Sequence, residues 1–511
     1  MSRPNILIFM VDQLNGTLFP DGPADWLHTP NFKALAERSV RFANSYTASP
    51  LCAPGRASFM SGRLPSRTGV YDNAAEFPSD TPTFAHHLRA AGWQTCLSGK
   101  MHFVGPDQLH GFEQRLTTDV YPADFGWTPD WRKPGERIDW WYHNMGSVTG
   151  AGVAETSNQM EYDDEVAYHG VQAIYDLARR QTNDPWMLTV SFTHPHSPFV
   201  ISDEFWDLYD HNDIPLPIVP PLGLDEMDHL SRNLHYCQAR DQFTITDDHR
   251  RNAKHAYYGM ISYIDSKIAA LKNALERSGM ADDTIIIFTA DHGEMMGERG
   301  MWYKQHFFEW ASHVPLIFYA PKRWPASRVT KNCSLVDIMP TLLDLATEGN
   351  FTNYVGPIDG KSLAPVLHGD SSHMSDIVIS EFAADGSTGP SRMVKRGSMK
   401  YMDLEGSDTL FFDLDQDPHE LNNLIDDPAH ADSATELQAI CEGGWNRQEM
   451  HAIIAADQRR RLKVHQATGG EPTYVNIVRE DDARRYIRNG SAADTKAQAR
   501  LPYVTPAKPD K

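Results

Sequence analysis

A chain of 511 residues with 41% hydrophobic side chains and 12 tryptophans can bury more than one small core, so a large domain with a smaller companion is expected. Its formal net charge of −21 argues against nucleic acid or an anionic membrane surface as partner, and no apolar run approaches the roughly 20 residues of a membrane span. Five cysteines, Cys52, Cys96, Cys237, Cys333 and Cys441, are scattered, odd in number and without zinc-site spacing, as suits a reducing compartment.

The chain opens with PNILIFMVDQ, a short apolar run ending in an acid, the pattern of a strand buried on both faces of a parallel sheet. A secretory signal would need a longer apolar stretch and a small-residue cleavage site, so the run is read as a strand and the protein as cytoplasmic. TPNFKALAERSV reads as a helix. In SPLCAPGRASFMSG, Ser49 to Gly62, Pro54 suits the first turn of a helix that continues to Gly62. Further strand signals lie at Trp93 to Lys100, Pro185 to His196, Asp282 to Glu294 and His313 to Pro321. Ahead of Asp282, Met260, Ile264, Ile268, Leu271 and Leu275 recur every three or four residues, marking a long amphipathic helix stopped by Gly279. Strands alternating with helices predict an α/β domain, a mostly parallel sheet covered on both faces. From about Asp376 the texture changes to IVISEF, RMVKRGSMKYMDL, DTLFFDL and HELNNL, which predict a small antiparallel sheet capped by a helix. The expected boundary near residue 375 divides the chain into a domain 1–375 and a subdomain 376–511. The last eighty or so residues are polar and helix-prone.

In an open parallel sheet, ligands bind beyond the carboxyl ends of the strands. Asp12 follows the first strand, Lys100 and His102 follow TCLSG, His194 and His196 follow LTVSF, and Asp291 and His292 follow IIIFT. Four strands therefore deliver acids, imidazoles and an ammonium to one edge. Asp12 and Asp291 offer hard oxygen ligands suited to Ca²⁺, Mg²⁺ or Mn²⁺, and a coordinating His292 would shift preference towards Mn²⁺. Cys52, ahead of the exposed N–H groups of its helix and beside Arg56, reads either as a thiolate nucleophile of lowered pKa or as a buried, inert thiol.

Cys52, Pro54 and Arg56, with SGR close behind, resemble the C-x-P-x-R signature of the type I sulfatases of the alkaline phosphatase superfamily, and Asp12, SGKMH, THPH, ADHGE and Lys304 in GMWYKQHFFE follow in that family's order. Together they span most of the first 310 residues. The resemblance implies an alkaline-phosphatase-like fold and conversion of Cys52, by a formylglycine-generating or sulfatase-maturing enzyme, to formylglycine. The hydrated aldehyde attacks sulfur through one hydroxyl and releases sulfate through the other. It further implies a divalent cation, Ca²⁺ first, on Asp12, Asp291, His292 and modified Cys52. Arg56 would hold the diol oxygens, and Lys100 and Lys304 would clamp the sulfate. His102 would take the proton for sulfate release, and His196 would protonate the leaving alcohol, with His194 ranked second. Gln13 stands where many members carry a second acid, His292 where many carry Asn, and Gly55 where serine or alanine is commoner.

Within that family, VDQLNGTLFPDGPADWLHTPN, GKMHFVGPDQLHGFEQRLTTDVYPADFGWTPDW and the tail ARRYIRNGSAAD resemble the choline-sulfatase branch, which implies choline O-sulfate as substrate and a homo-oligomer, a tetramer, whose tail reaches a neighbouring site. Trp127, Trp131, Trp140, Trp141 and Tyr142 lie in a polar segment rich in proline and glycine, and aromatic faces attract a methylated ammonium. Trp127 is the expected aromatic face and Glu381 its charged partner, with Asp494, His143 and Asn144 as further candidates. Two other readings stay open, a phosphonate monoester, phosphodiester or other sulfate ester hydrolase on the same site, and a sulfated-osmolyte binding protein in which Cys52 remains a thiol.

Overall fold

In the computed structural model, which describes residues 3–120, 124–133, 144–180, 182, 184–349, 351–470, 500–502 and 510, the first apolar run is strand β1 (Asn5–Val11), buried from Ile6 to Val11. Helix α1 (Pro30–Ala36) follows, and then strand β2 (Val40–Tyr46), which the sequence reading did not foresee. Next come helix α2 (Cys52–Ser61) and strands β3 (Gln94–Gly99) and β4 (Gln114–Arg115). Helix α3 (Asn158–Ala178) leads to strand β5 (Trp186–Ser191), and helix α4 (Asp247–Arg277) to strand β6 (Thr284–Ala290). Strands β7 (His313–Tyr319), β8 (Ser327–Val329) and β9 (Cys333–Ser334) complete a nine-stranded sheet in the order β8-β2-β7-β6-β1-β5-β3-β4, with β9 also on β2.

Every pairing in this sheet is parallel except those of β7, which runs antiparallel to both β2 and β6. β1 lies between β6 and β5, and all three are buried along almost their whole length. Each buried Ile, Leu, Val or Phe contributes roughly 1.5–3 kcal/mol of transfer free energy, so the central strands dominate the fold's stability. Helix α4 presents Met260, Ile264, Ile268, Leu271 and Leu275 to this core and ends at Ser278, ahead of Gly279. Among the described residues no helix is long and apolar enough to cross a membrane.

The second sheet is a meander of strands β10 (Ile377–Phe382), β11 (Ser391–Arg396), β12 (Met399–Asp403) and β13 (Thr409–Asp413), all antiparallel. Side chains alternate across it as strand geometry requires. Val394, Tyr401 and Phe411 pack under helix α5 (Ala431–Glu442) through Leu437 and Cys441, while Met393, Met402 and Phe412 pack against Phe307, Phe308 and Trp310 of the large domain. HELNNL is not helical. Asp417 accepts the N–H groups of Leu421 and Asn422, and Glu420 takes a positive φ of 57° while its carboxylate meets buried Lys400. Helix α6 (Arg447–Ala467) returns to the large domain, where Arg461 donates to both oxygens of Asp72, at 2.8 and 2.6 Å, and to Thr128 Oγ1 at 3.0 Å.

One backbone detail aims the site. Gly99 ends β3 at φ +109°, and a Cβ there would lie 1.9 Å from the Ser191 carbonyl oxygen, the acceptor of the Lys100 N–H. Gly99→Ala is expected to lower stability by more than about 2 kcal/mol, since a side chain in the left-handed region alone costs roughly 1–2 kcal/mol. Denaturant unfolding checks this, and an unchanged midpoint would refute it.

Candidate active site

The ends of β1, β3, β5 and β6 and the start of α2 converge. Leu51 is extended, with φ −157° and ψ 144°, and α2 begins at Cys52. The helix is buried throughout, Asn73 Oδ1 accepts the Ala53 N–H at 3.0 Å, and Gly62 at φ 67° closes its end. Gly55 is required by close packing, because a Cβ would stand 3.0 Å from the Ser49 carbonyl and 3.3 Å from that of Asp291. That contact explains glycine where larger small residues are commoner.

One ligand atom from each of Asp12, Cys52, Asp291 and His292 lies within 4.8 Å of the others, and all four residues are buried. His292 Nδ1 is 3.0 Å from the Gly293 carbonyl oxygen, which can only accept, so Nδ1 carries a proton and Nε2 is the ring nitrogen turned towards the cluster. Nε2 is 3.2 Å from Cys52 Sγ, 3.8 Å from Asp12 Oδ1 and 3.6 Å from Asp291 Oδ2. Two carboxylates, an imidazole and the atom at position 52 fit a hard or borderline divalent cation.

Arg56 binds the cluster together. Its Nε donates to Asp291 Oδ2 at 2.8 Å, one terminal nitrogen to Asp12 Oδ2 at 3.2 Å, and the other to the Lys100 carbonyl at 2.6 Å and Ser191 Oγ at 2.9 Å. Arg56 thus fixes the two carboxylates on either side of position 52. Lys100 pairs with Asp12 Oδ2, with its Nζ 3.8 Å from Cys52 Sγ. Burial opposes charge on Asp12, yet Lys100, Arg56, His292 and Lys304 outweigh it and hold the carboxyl well below its usual range. Burial and Asp12 push the Cys52 thiol up, but Lys100, Lys304 and His292 prevail and hold it well below its ordinary value. Position 52 thus stands in a field that favours negative charge.

A second group faces it. Lys304 Nζ is 2.9 Å from His196 Nε2 and also donates to Gln13 Oε1. His196 Nδ1 is 2.6 Å from the Ser197 carbonyl oxygen; it donates there, so Nε2 receives the Lys304 proton. His194 is directed elsewhere, with Nδ1 2.6 Å from Asp163 Oδ2 and its ring against Tyr263. His102 takes φ 57°, its N–H held at 2.8 Å by Asp119 Oδ2, and both buried ring nitrogens lack a hydrogen-bond partner among the described residues. Its ring centroid is 6.1 Å from that of half-buried Trp127.

The aromatic and acidic candidates separate. Trp131 packs with Tyr71, Ala383, Ile454 and His451. Glu381 is engaged by Ser66, whose N–H and hydroxyl donate at 2.7 and 3.0 Å, and by Arg392. Burial still pushes its carboxyl up, against the pull of Arg392 and Ser66. Asp385, four residues on, was missed by the sequence reading. It accepts from Gln305 Nε2 at 2.5 Å, and burial together with Asp72 pushes its carboxyl up to about 6, against the pull of Lys304. The Asp-Gly turn in AADGS was the available signal. Asn144 accepts the Tyr303 hydroxyl on its carbonyl. Trp140, Trp141, Tyr142, His143 and Asp494 lie outside the described residues.

The model of the sulfatase family matches residues 4–348, and that of the N-sulphoglucosamine sulphohydrolase C-terminal region matches 297–443. A choline-sulfatase of Rhizobium meliloti (strain 1021) is 50% identical over 507 residues, 98% of each chain. The multifunctional alkaline phosphatase superfamily protein PehA of Trinickia caryophylli is 27% identical, over 84% of this chain and 93% of its own. Among solved structures, a phosphonate monoester hydrolase of Agrobacterium radiobacter superposes with a TM-score of 0.68 at 22% identity, over 89% of this chain and 96% of its own. With the family model matched over residues 4–348 and a relative 50% identical along 98% of the chain, the chain belongs to the sulfatase family, and the enzyme it forms is a sulfatase.

Proposed function

We propose that the enzyme hydrolyses choline O-sulfate to choline and sulfate, with residue 52 acting as hydrated formylglycine. The observation that supports this reading is that the half-buried Trp127 ring lies 6.1 Å from that of His102, where an aromatic surface would meet a methylated ammonium. The relative that is 50% identical along nearly its whole length bears the same activity in its name.

A divalent cation, Ca²⁺ in the first instance, on Asp12, Asp291, His292 and modified Cys52 would polarise sulfate oxygens and acidify the attacking hydroxyl. The aldehyde hydrate supplies the oxygen nucleophile and a second hydroxyl through which sulfate leaves by C–O cleavage. Cys52 is only 2% exposed, so the maturing enzyme must reach it before α2 packs. Arg56 fixes both carboxylates, and Lys100 and Lys304 oppose the charge that grows on the sulfate oxygens. The Lys304–His196 pair holds a proton for the departing alcohol oxygen. His102, with its ring nitrogens unpartnered and its backbone pinned by Asp119, receives the proton of the second hydroxyl.

The trimethylammonium lies against Trp127, with Asp385 rather than Glu381 as its counter-charge. Asn144, His143 and Asp494 retain the roles suggested by resemblance, the last from a neighbouring subunit of a homotetramer. All five cysteines are free, in keeping with a cytoplasmic enzyme.

Choline sulfate is expected to give a higher kcat/KM than an uncharged aryl sulfate or an aryl phosphonate, and preference for the phosphonate would overturn the assignment. Trp127→Ala should lower kcat/KM for choline sulfate by up to about 30-fold, the equivalent of about 2 kcal/mol of cation–π attraction, and leave the uncharged ester nearly untouched. Equal losses would remove the aromatic contact. Asp385 attracts a cation only when ionised, so KM for choline sulfate should rise as pH falls through about 6, with no such rise for the uncharged ester or in Asp385→Asn. A profile shared by both substrates would assign the titration to another group.

A further inference from the structure

Glu294 is fully buried, and no role has been assigned to it. Its Oε1 accepts the N–H groups of Met296 at 3.0 Å and Tyr303 at 2.6 Å, and its Oε2 accepts Gln13 Nε2. Gln13 Oε1 in turn accepts from Lys304 Nζ. Two non-glycine residues in the left-handed region, Gln13 at φ 64° and Tyr303 at φ 66°, are thus joined to one carboxylate. Tyr303 immediately precedes Lys304, and such backbone persists only where its surroundings over-determine it.

We propose that Glu294 is a positioning residue that orients the Gln13 amide and thereby holds the Lys304 ammonium against His196. The inference rests on the reading of Lys304 as the sulfate-clamping cation. Its logic is donor and acceptor polarity. The Lys304 ammonium only donates, so Gln13 must turn its amide oxygen there, and its NH₂ then faces Glu294 Oε2, which accepts. His196 Nδ1 donates to the Ser197 carbonyl, so His196 Nε2 also presents an acceptor. Gln13 Oε1 and His196 Nε2 take two of the three N–H donors of Lys304 and fix the direction of the third. An amide reversed at position 13 would present N–H groups to the ammonium and drive it from this place. An acidic residue at position 13 could not rest against Glu294 without a proton between them, which gives a reason for Gln13 where a second acid is common in the family.

The experiment is steady-state kinetics on choline sulfate with wild type, Glu294→Gln and an exchange variant that combines Gln13→Glu with Glu294→Gln, each matured and metal-loaded alike. In Glu294→Gln the new amide oxygen stays with the Met296 and Tyr303 N–H groups, so its NH₂ opposes that of Gln13 and Gln13 must reverse. The expected result is a kcat about 10- to 100-fold lower with KM within about threefold, the signature of a donor lost in the transition state. In the exchange variant the carboxylate moved to position 13 accepts from both Lys304 and the amide moved to position 294. Every bond is restored with its polarity, and kcat should recover at least about tenfold over the single variant. A loss that did not depend on which end of the pair donates would not be rescued by exchanging carboxylate and amide. Wild-type kcat in Glu294→Gln would overturn the proposal, as it would if Oε2 already carried a proton in this buried site. So would an exchange variant no better than the single one, and this second criterion holds even where the single variant folds poorly. Because the wild type is assayed in parallel, an active wild type with an unaffected Glu294→Gln removes the positioning role alone and leaves the substrate assignment standing.

Discussion

The site depends on one fully buried guanidinium. Arg56 bridges Asp12 and Asp291 and also ties down the Lys100 carbonyl and Ser191, so a single side chain of α2 joins the ends of β1, β3, β5 and β6. Desolvating two carboxylates costs several kcal/mol each unless the charge is met at close range, and breaking a buried pair costs about 3–5 kcal/mol. The geometry of the buried acid cluster is consequently inseparable from the packing of α2. That helix begins at Cys52, and its tight fit, down to Gly55, fixes position 52 against the carboxylates.

The electrostatics are layered around this bridge. Arg56 and Lys100 pair with the acids that a cation would need, while Lys304 and His196 stand on a separate hydrogen-bonded chain through Gln13 and Glu294. The separation matters for turnover. A cation already paired with a carboxylate, as Lys100 is with Asp12, has its charge met there, whereas Lys304 rests against an amide oxygen and an imidazole, which leave more of its charge unneutralised. The low-dielectric surroundings strengthen both interactions relative to water.

Much of this was legible before the fold was known. β1, β5, β6 and β7 are continuous apolar runs, and polar residues directly after such runs had to gather at one sheet edge. β2 escaped notice because VRFANSY mixes polar and apolar residues and begins on the last residue of a helical pattern. The direction of β7 was not legible, since an apolar run has no arrow. Side-chain commitments were the hardest to read. His194 and His196 are two residues apart, and only Asp163, 31 positions upstream of His194, tells them apart. Glu381 was a reasonable anion for a cationic substrate, but Ser66 and Arg392 engage it, and both become neighbours only through the strand register of the second sheet and its contact with the large domain. Asp385 gains its place through Gln305, 80 residues away.

The central claim is that the atom reacting with the ester is no longer sulfur. Cys52 lies at the focus of Lys100, Lys304 and His292, in a field that favours an anion, and an unmodified thiolate placed there would form an ester with no ready exit. Mass analysis of the peptide containing residue 52, taken from preparations that span a range of specific activities, tests this most directly. The expected result is aldehyde in place of thiol, with turnover rising in proportion to the aldehyde fraction. A fully active preparation in which residue 52 is wholly thiol would contradict it.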